Sequence, residues 1–295
     1  MQTKMSGDTD KALKILTEAG IDREDARFDI GVLFSVLGDD DEAFEQAVKK
    51  RAKGVPVAYI TGTQPFYKEE YKVTPDVLIP RADTELLVET VLRFLGALDF
   101  PAGDVNLVPE SSERLTSPHI LDLCTGTGCV GISILNSLIS KSFRPSVVLS
   151  DISMAALEIA RENVESQAAD PAAVKTVILD VLSEEIPEEL GQFDVITANP
   201  PYINSDDMRT LDREVGEHEP HLALAGGEDG LDFYLPICEL SHKCLRDGGI
   251  LAVEHGYDQG EQVAQTLMAQ GFNIVKVLKD FGGNDRVTFG IKSGR

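Results

Sequence analysis

The sequence predicts an α/β protein built on a largely parallel sheet, with a small helical region in front of it. Three observations carry that prediction. From residue 119 onward, short apolar runs alternate with longer helical stretches, as in successive βαβ units. Residues 120–129 (Ile-Leu-Asp-Leu-Cys-Thr-Gly-Thr-Gly-Cys) lead from a strand through a small-residue turn into an apolar helix. The last two apolar runs, 272–278 and 286–291, are joined by a segment too short for a crossover helix, so they pair antiparallel.

Taken in order, residues 1–62 read as helices. The stretch 11–19 has Leu13, Ile15 and Leu16 as its apolar face and stops at Gly20. Asp22 caps a second helix, which carries Ala26, Ile30, Leu33, Phe34 and Leu37 before Gly38. Acidic residues 39–41 open a third, with Phe44, Ala47 and Val48 inside. It closes on Lys49, Lys50, Arg51 and Lys53, a basic cluster expected to be a solvated helix end that complements the dipole. So small a bundle is expected to dock or present a substrate. Residues 65–80 suggest a β-hairpin, within a linker assigned to 63–82. A helix is expected over 83–98, then a loop-like surface insertion over 99–118. Strands follow near 119–123, 146–150, 174–179 and 193–198, a helix over 233–245, a strand over 250–254 and a helix over 259–270. The expected organisation is a helical region (1–62), a hairpin linker (63–82) and an α/β domain (83–295).

Composition narrows the classes of function. The chain has 295 residues, room for one large domain or two smaller ones. No apolar stretch approaches a membrane span, and the N-terminus lacks the core of a signal peptide, so the cytoplasm is the expected compartment. A net charge of −23 argues against a broad phosphate-binding surface, and no direct nucleic-acid binding is expected. The four cysteines form no Cys-x-x-Cys pair and read as free thiols of a reducing compartment. His218 and His221 flank Glu219-Pro220, where the proline blocks a helix, and no metal site is expected.

The chemistry concentrates at strand ends. Asn199-Pro200-Pro201-Tyr202 directly follows the apolar run 195–198. Two prolines fix the backbone, donate nothing and leave their carbonyls as acceptors. The Asn199 side-chain oxygen is a further acceptor, and Tyr202 adds a flat wall. Such a turn can hold a planar –NH2 group by both hydrogens, which suits methyl transfer to an amide or to an exocyclic base amine. As a purely structural feature, it is a rigid loop where a strand stops. Upstream, Gly126, Gly128 and Gly131 depart from the dinucleotide pattern, and no Walker Lys-Ser/Thr follows. The next strand ends in Asp151, placed to take ribose hydroxyls; either Asp151 or Ser153 would cap the helix beyond it. Asp180 ends the third strand, where an adenine amine would be met. Glu254 and His255 are read as a strand end.

These residues resemble the protein-(glutamine-N5) methyltransferase family that modifies peptide-chain release factors. The resemblance covers nearly the whole chain. It is carried by 56–62 (Pro-Val-Ala-Tyr-Ile-Thr-Gly), 77–85 (Val-Leu-Ile-Pro-Arg-Ala-Asp-Thr-Glu), the glycine turn and Asn199-Pro200-Pro201-Tyr202-Ile203. It continues through Glu219-Pro220, 226–231 (Gly-Gly-Glu-Asp-Gly-Leu) and 282–286 (Gly-Gly-Asn-Asp-Arg). The resemblance implies a class I S-adenosylmethionine-dependent methyltransferase with a Rossmann-like seven-stranded sheet, and a release factor as protein substrate. It implies a cofactor site at Cys124, Thr125, Gly126, Thr127, Gly128, Asp151, Asp180, Val181 and Asn199, with Arg81 and Thr84 nearby. Asn199, Pro200, Pro201 and Tyr202 would bind the glutamine and serve catalysis. The family usually has glycine where Cys124 stands. Two rival readings are weighed. A nucleic-acid adenine-N6 or guanine-N2 methyltransferase would want a basic or aromatic platform, and this acidic chain has no Trp. A non-catalytic adaptor would not need both turns intact.

Overall fold

The computed structural model describes residues 2–38, 40–99, 115–183 and 190–294. Helices α1 (Gln2–Glu18), α2 (Arg23–Leu37) and α3 (Asp41–Arg51) form the N-terminal bundle. Asp22 and Asp40 cap α2 and α3 by accepting from Glu24 N and Ala43 N. The bundle has a core of its own, including Leu16, Ile30, Leu33, Phe44 and Val48. One expectation fails here. Lys49, Lys50 and Lys53 are exposed, but Arg51 is buried. It bonds Asp29 Oδ2 at 2.6 Å and pairs with Glu214, which lies outside the bundle, beyond β6 in the chain. Its helix end faces protein, so the charge is satisfied by carboxylates in place of water.

A short helix, α4 (Val57–Thr61), leads into a hairpin of β1 (Thr63–Phe66) and β2 (Glu69–Lys72). The hairpin starts earlier and ends sooner than expected. Beyond it Val73, Val77 and Ile79 pack as irregular chain against Ala58, Ala156 and Ile159. Pro75 and Pro80 cannot donate to a ladder, so pairing stops before them. Nor does the hairpin behave as a free linker. Phe66 and Tyr71 sit in the main core, and Tyr71 Oη meets Ser133 Oγ at 2.7 Å. The Asn163 side chain accepts from Lys72 N at 2.7 Å and donates to Lys72 O and Thr127 O, fastening the hairpin to the glycine turn.

The expected helix over 83–98 divides into a 3₁₀ turn, Ala82–Thr84, and α5 (Glu85–Phe94). Of the expected surface insertion over 99–118, residues 100–114 lie outside the described residues. The main sheet contains β3 (His119–Leu123), β4 (Ser146–Asp151), β5 (Val174–Ile178), β6 (Phe193–Ala198), β7 (Leu245–Glu254), β8 (Phe272–Lys279) and β9 (Asp285–Lys292). Among the described residues its order is β5-β4-β3-β6-β7-β9-β8. Pairing is parallel from β5 to β7 and antiparallel at β9 and β8, as expected from the short connection. The helices around it are α6 (Cys129–Ser140), α7 (Met154–Gln167), α8 (Arg213–His218), α9 (Tyr234–Cys244) and α10 (Gly260–Ala269). Two large cores fill its faces, one under α5 and α6, the other under α9 and α10. The strand order reverses at β3, so the carboxyl ends of β3, β4 and β6 open into one crevice. No described helix is long and apolar enough to cross a membrane.

Candidate active site

A cavity of about 290 Å³ lies in that crevice. Its floor is the turn after β3. Asp122, buried on the strand, accepts from Thr125 Oγ1 at 2.5 Å, Thr197 Oγ1 at 2.7 Å and Gly131 N at 3.3 Å. Burial pushes its carboxyl up to about 6, against those hydrogen bonds. Gly126, at φ 53°, donates its N–H to Asp151 Oδ2 at 2.9 Å. Cys124 also has φ 53°, a left-handed conformation that costs a side chain with a Cβ about 1 kcal/mol. This backbone conformation is why glycine suits the position.

Asp151 Oδ1 accepts from Ser153 N at 2.9 Å, while Ser153 Oγ accepts from Ala156 N and caps α7. The cap therefore belongs to Ser153. Asp151 holds the glycine turn and still lines the cavity. Burial pushes its titration up, opposed by the Ser153 and Gly126 amides. Asp180 Oδ1 accepts from Leu182 N at 2.9 Å, and Val181 is buried beside it.

The turn after β6 forms the opposite wall. Asn199 Nδ2 donates to Thr84 Oγ1 at 3.3 Å. Gln259 Nε2 donates to the Tyr202 carbonyl at 2.9 Å, and Gly226 N donates to Ile203 O at 2.9 Å. A Cβ on Gly226 would sit 2.7 Å from Tyr202 Cα and 2.8 Å from Pro201 O, so only glycine allows this approach. Arg81 pairs with the buried carboxylate of Glu219, which also accepts from Ile79 N at 3.3 Å.

Of the residues expected from the sequence, Cys124, Thr125, Gly126, Thr127, Asp151, Asp180, Val181, Asn199, Pro201, Arg81 and Thr84 line this one cavity. Three do not. Gly128 is turned inward against Ile132 and Leu149. Pro200 is buried. Tyr202 is not the flat wall expected: its hydroxyl donates to Glu254 Oε1 at 3.4 Å, and its ring joins the core under α9. Phe233 lines the cavity instead, with Val77, Leu78 and Leu222.

Sequence reasoning missed Asp122 as the hub of the first turn and Glu254 behind the second. Glu254 does more than end a strand. It is 1% exposed, Oε2 has no hydrogen-bond partner, and burial pushes its carboxyl up to about 7. A carboxylate closing the apolar run 250–253 was the available signal. The neighbouring His255 is buried, with Nε2 against Thr288 Oγ1 at 2.9 Å and a titration lowered by burial. Arg286, in the closing motif, bonds Asp280 at 3.2 Å and the His255 carbonyl at 3.3 Å, and pairs with Asp83 at 3.4 Å.

Residues 102–228 match the family model described as the methyltransferase small domain. A release factor glutamine methyltransferase from Clostridium acetobutylicum is 36% identical over 247 residues, covering 84% of this chain and 79% of that protein. A bifunctional methyltransferase from Rickettsia felis is 37% identical over 263 residues, 83% of this chain; the chain spans about half of that relative, 47% of its length. Among solved structures, a release-factor-specific protein-(glutamine-N5) methyltransferase from Alicyclobacillus acidocaldarius is 26% identical, with 76% of this chain and 100% of that one covered and a TM-score of 0.40.

Proposed function

The chain belongs to the release factor glutamine methyltransferase family, and on that premise we propose that its cavity transfers a methyl group to the side-chain amide nitrogen of a glutamine in a peptide-chain release factor. The supporting observation is that a single cavity is lined both by the glycine turn and by Asn199 and Pro201.

The residues present fit S-adenosylmethionine. The first turn packs no side chain over Gly126, where an added Cβ would meet open space. Asp151 keeps lone pairs beyond its two backbone contacts, enough to accept from ribose hydroxyls. Leu179, Val181 and Ile152 offer an apolar slot for a purine, and Asp180 stands at its edge for an amine. When bound, the cofactor supplies an electrophilic methyl group.

The protein's part is to make a poor nucleophile adequate. The amide lone pair is delocalised into its carbonyl. Acceptance of its N–H bonds by Asn199 Oδ1 and a backbone carbonyl of the Asn199–Tyr202 turn raises electron density on nitrogen and fixes the amide plane. Phe233 and Pro201 bound the space, and Tyr202 anchors the turn from behind. Orientation of this kind supplies several kcal/mol of rate enhancement. The proton leaves after transfer, when the nitrogen is cationic and acidic.

We assign the helical region to recognition of the protein substrate. Arg51 ties it to Glu214 on α8, and Glu219, just beyond α8, holds Arg81 at the cavity. Remote contacts through such a region would orient the glutamine. The deciding experiment incubates purified release factors with a labelled methyl donor and maps the product by mass. Label on a glutamine side chain is expected; label on nucleic acid, or none on any release factor, would sink the reading. Charge reversals on exposed faces of α2 and α3 are expected to raise KM for the intact factor and leave cofactor affinity unchanged.

A further inference from the structure

Behind the Asn199–Tyr202 turn, polar groups from distant segments form one connected set. Asn199 Nδ2 donates to Thr84 Oγ1 at 3.3 Å. Thr84 is buried, and as a hydrogen-bonding neighbour it draws the titration of the Glu254 carboxyl down. Tyr202 Oη donates to Glu254 Oε1 at 3.4 Å. Glu254 Oε2 is buried and unpartnered, while Arg286, the cation facing it, is bonded to Asp280 and Asp83.

The donor inventory then decides the orientation of Asn199. Thr84 has one hydrogen and two lone pairs, and a carboxylate only accepts. Facing Glu254, Thr84 turns its hydrogen to the carboxylate and leaves a lone pair for Asn199. Asn199 must therefore present Nδ2 to Thr84, which leaves Oδ1 for the cavity. We propose that Glu254 is a positioning residue for methyl transfer, fixing the flip of the Asn199 amide through Thr84 and the path of the turn through Tyr202. This rests on the reading of Asn199 Oδ1 as the acceptor for the substrate amide. The observed contacts are long, as expected where a site tightens around its substrate.

Protonation reverses the logic. A neutral Glu254 carries its own hydrogen and can donate to Thr84; the Thr84 hydrogen then seeks Asn199 Oδ1, and the amide turns over. Burial pushes Glu254 up to about 7, with Thr84, Arg286 and Tyr202 pulling down and Asp83 pushing up. The Glu254 charge also raises the titrations of Tyr234 and Cys129, and the Tyr234 hydroxyl donates to the Glu254 backbone carbonyl at 3.2 Å. The ionised form prevails above that value, so turnover falls as pH drops through about 7.

The test measures kcat and KM for a purified release factor on both sides of that pH, and S-adenosylmethionine affinity by calorimetry. Glu254→Gln is expected to lower kcat roughly 10- to 100-fold, to lose the acid limb of the profile and to bind the cofactor unchanged. Thr84→Val is expected to reproduce that loss, and Thr84→Ser to recover most of it. Wild-type turnover in Glu254→Gln, an acid limb that survives the substitution, or a parallel loss of cofactor affinity overturns the proposal. Should Glu254→Gln not fold, Thr84→Val decides it: wild-type kcat there overturns it equally. A wild-type enzyme inactive on every release factor would instead refute the substrate assignment, a separate outcome.

Discussion

The turns after β3 and β6 stand side by side, on strands that pair directly, yet they are held in different ways. The first is held by partners near in sequence, on an adjoining strand or, through Asn163, on α7. Thr125 bonds Asp122, three residues away, and Gly126 bonds Asp151, 25 away. The second depends on distant segments. Its Asn199 contact lies 115 residues off at Thr84, its Tyr202 contacts 52 and 57 residues off at Glu254 and Gln259. A cofactor site can be written into one strand, one turn and the next strand. A site for a flat amide needs its acceptors aimed, and the aiming groups come from wherever the fold brings them.

The largest expected effect tests the second turn. On the proposed mechanism Asn199→Ala removes an acceptor for the substrate amide, so turnover is expected to fall by about 10²-fold or more. Cofactor affinity, ascribed mainly to the first turn, is expected to change far less than turnover in calorimetry. Near-wild-type turnover in the folded variant would erase the distinction between the turns. Next, Gly226→Ala pushes a methyl group into the Pro201–Tyr202 backbone. It is expected to destabilise the protein by about 1–3 kcal/mol and to lower kcat more than cofactor affinity, as chemical denaturation and kinetics would show.

The first turn is expected to behave oppositely. Asp151→Ala should weaken S-adenosylmethionine binding about tenfold, with Asp151→Asn milder and turnover largely kept at saturating cofactor. An unchanged affinity would leave Asp151 with only its backbone role. The smallest effect is at Cys124. Glycine there relieves left-handed strain but raises the entropy of the unfolded chain, so Cys124→Gly is expected to shift stability by less than about 1 kcal/mol. Cys124→Val, β-branched at the same φ, is expected to lower the melting temperature clearly. Equal stability of the two variants would show that the backbone relaxes at that point.

These differences also mark how far the chain could be read. Strand positions 119–123 and 193–198 were legible because apolar runs ending in turn residues have one sensible reading. The antiparallel end of the sheet followed from a connection too short to cross over. Arg51 was misread because a basic residue at a helix end normally meets water, and nothing local announces Glu214. Tyr202 was misread for the same reason: an aromatic beside a site can face it or brace it, and the choice belongs to Glu254.

By itself the sequence determined the class of sheet, the placing of two polar turns at its strand ends and the family to which the chain belongs. These are short-range matters of periodicity, turn chemistry and motif. Tertiary structure alone decided which way Asn199 and Tyr202 face, why Gly226 must lack a side chain and where Arg51 and Arg81 spend their charge. Each of those depends on groups that meet only after the chain closes, and burial then makes their hydrogen bonds obligatory.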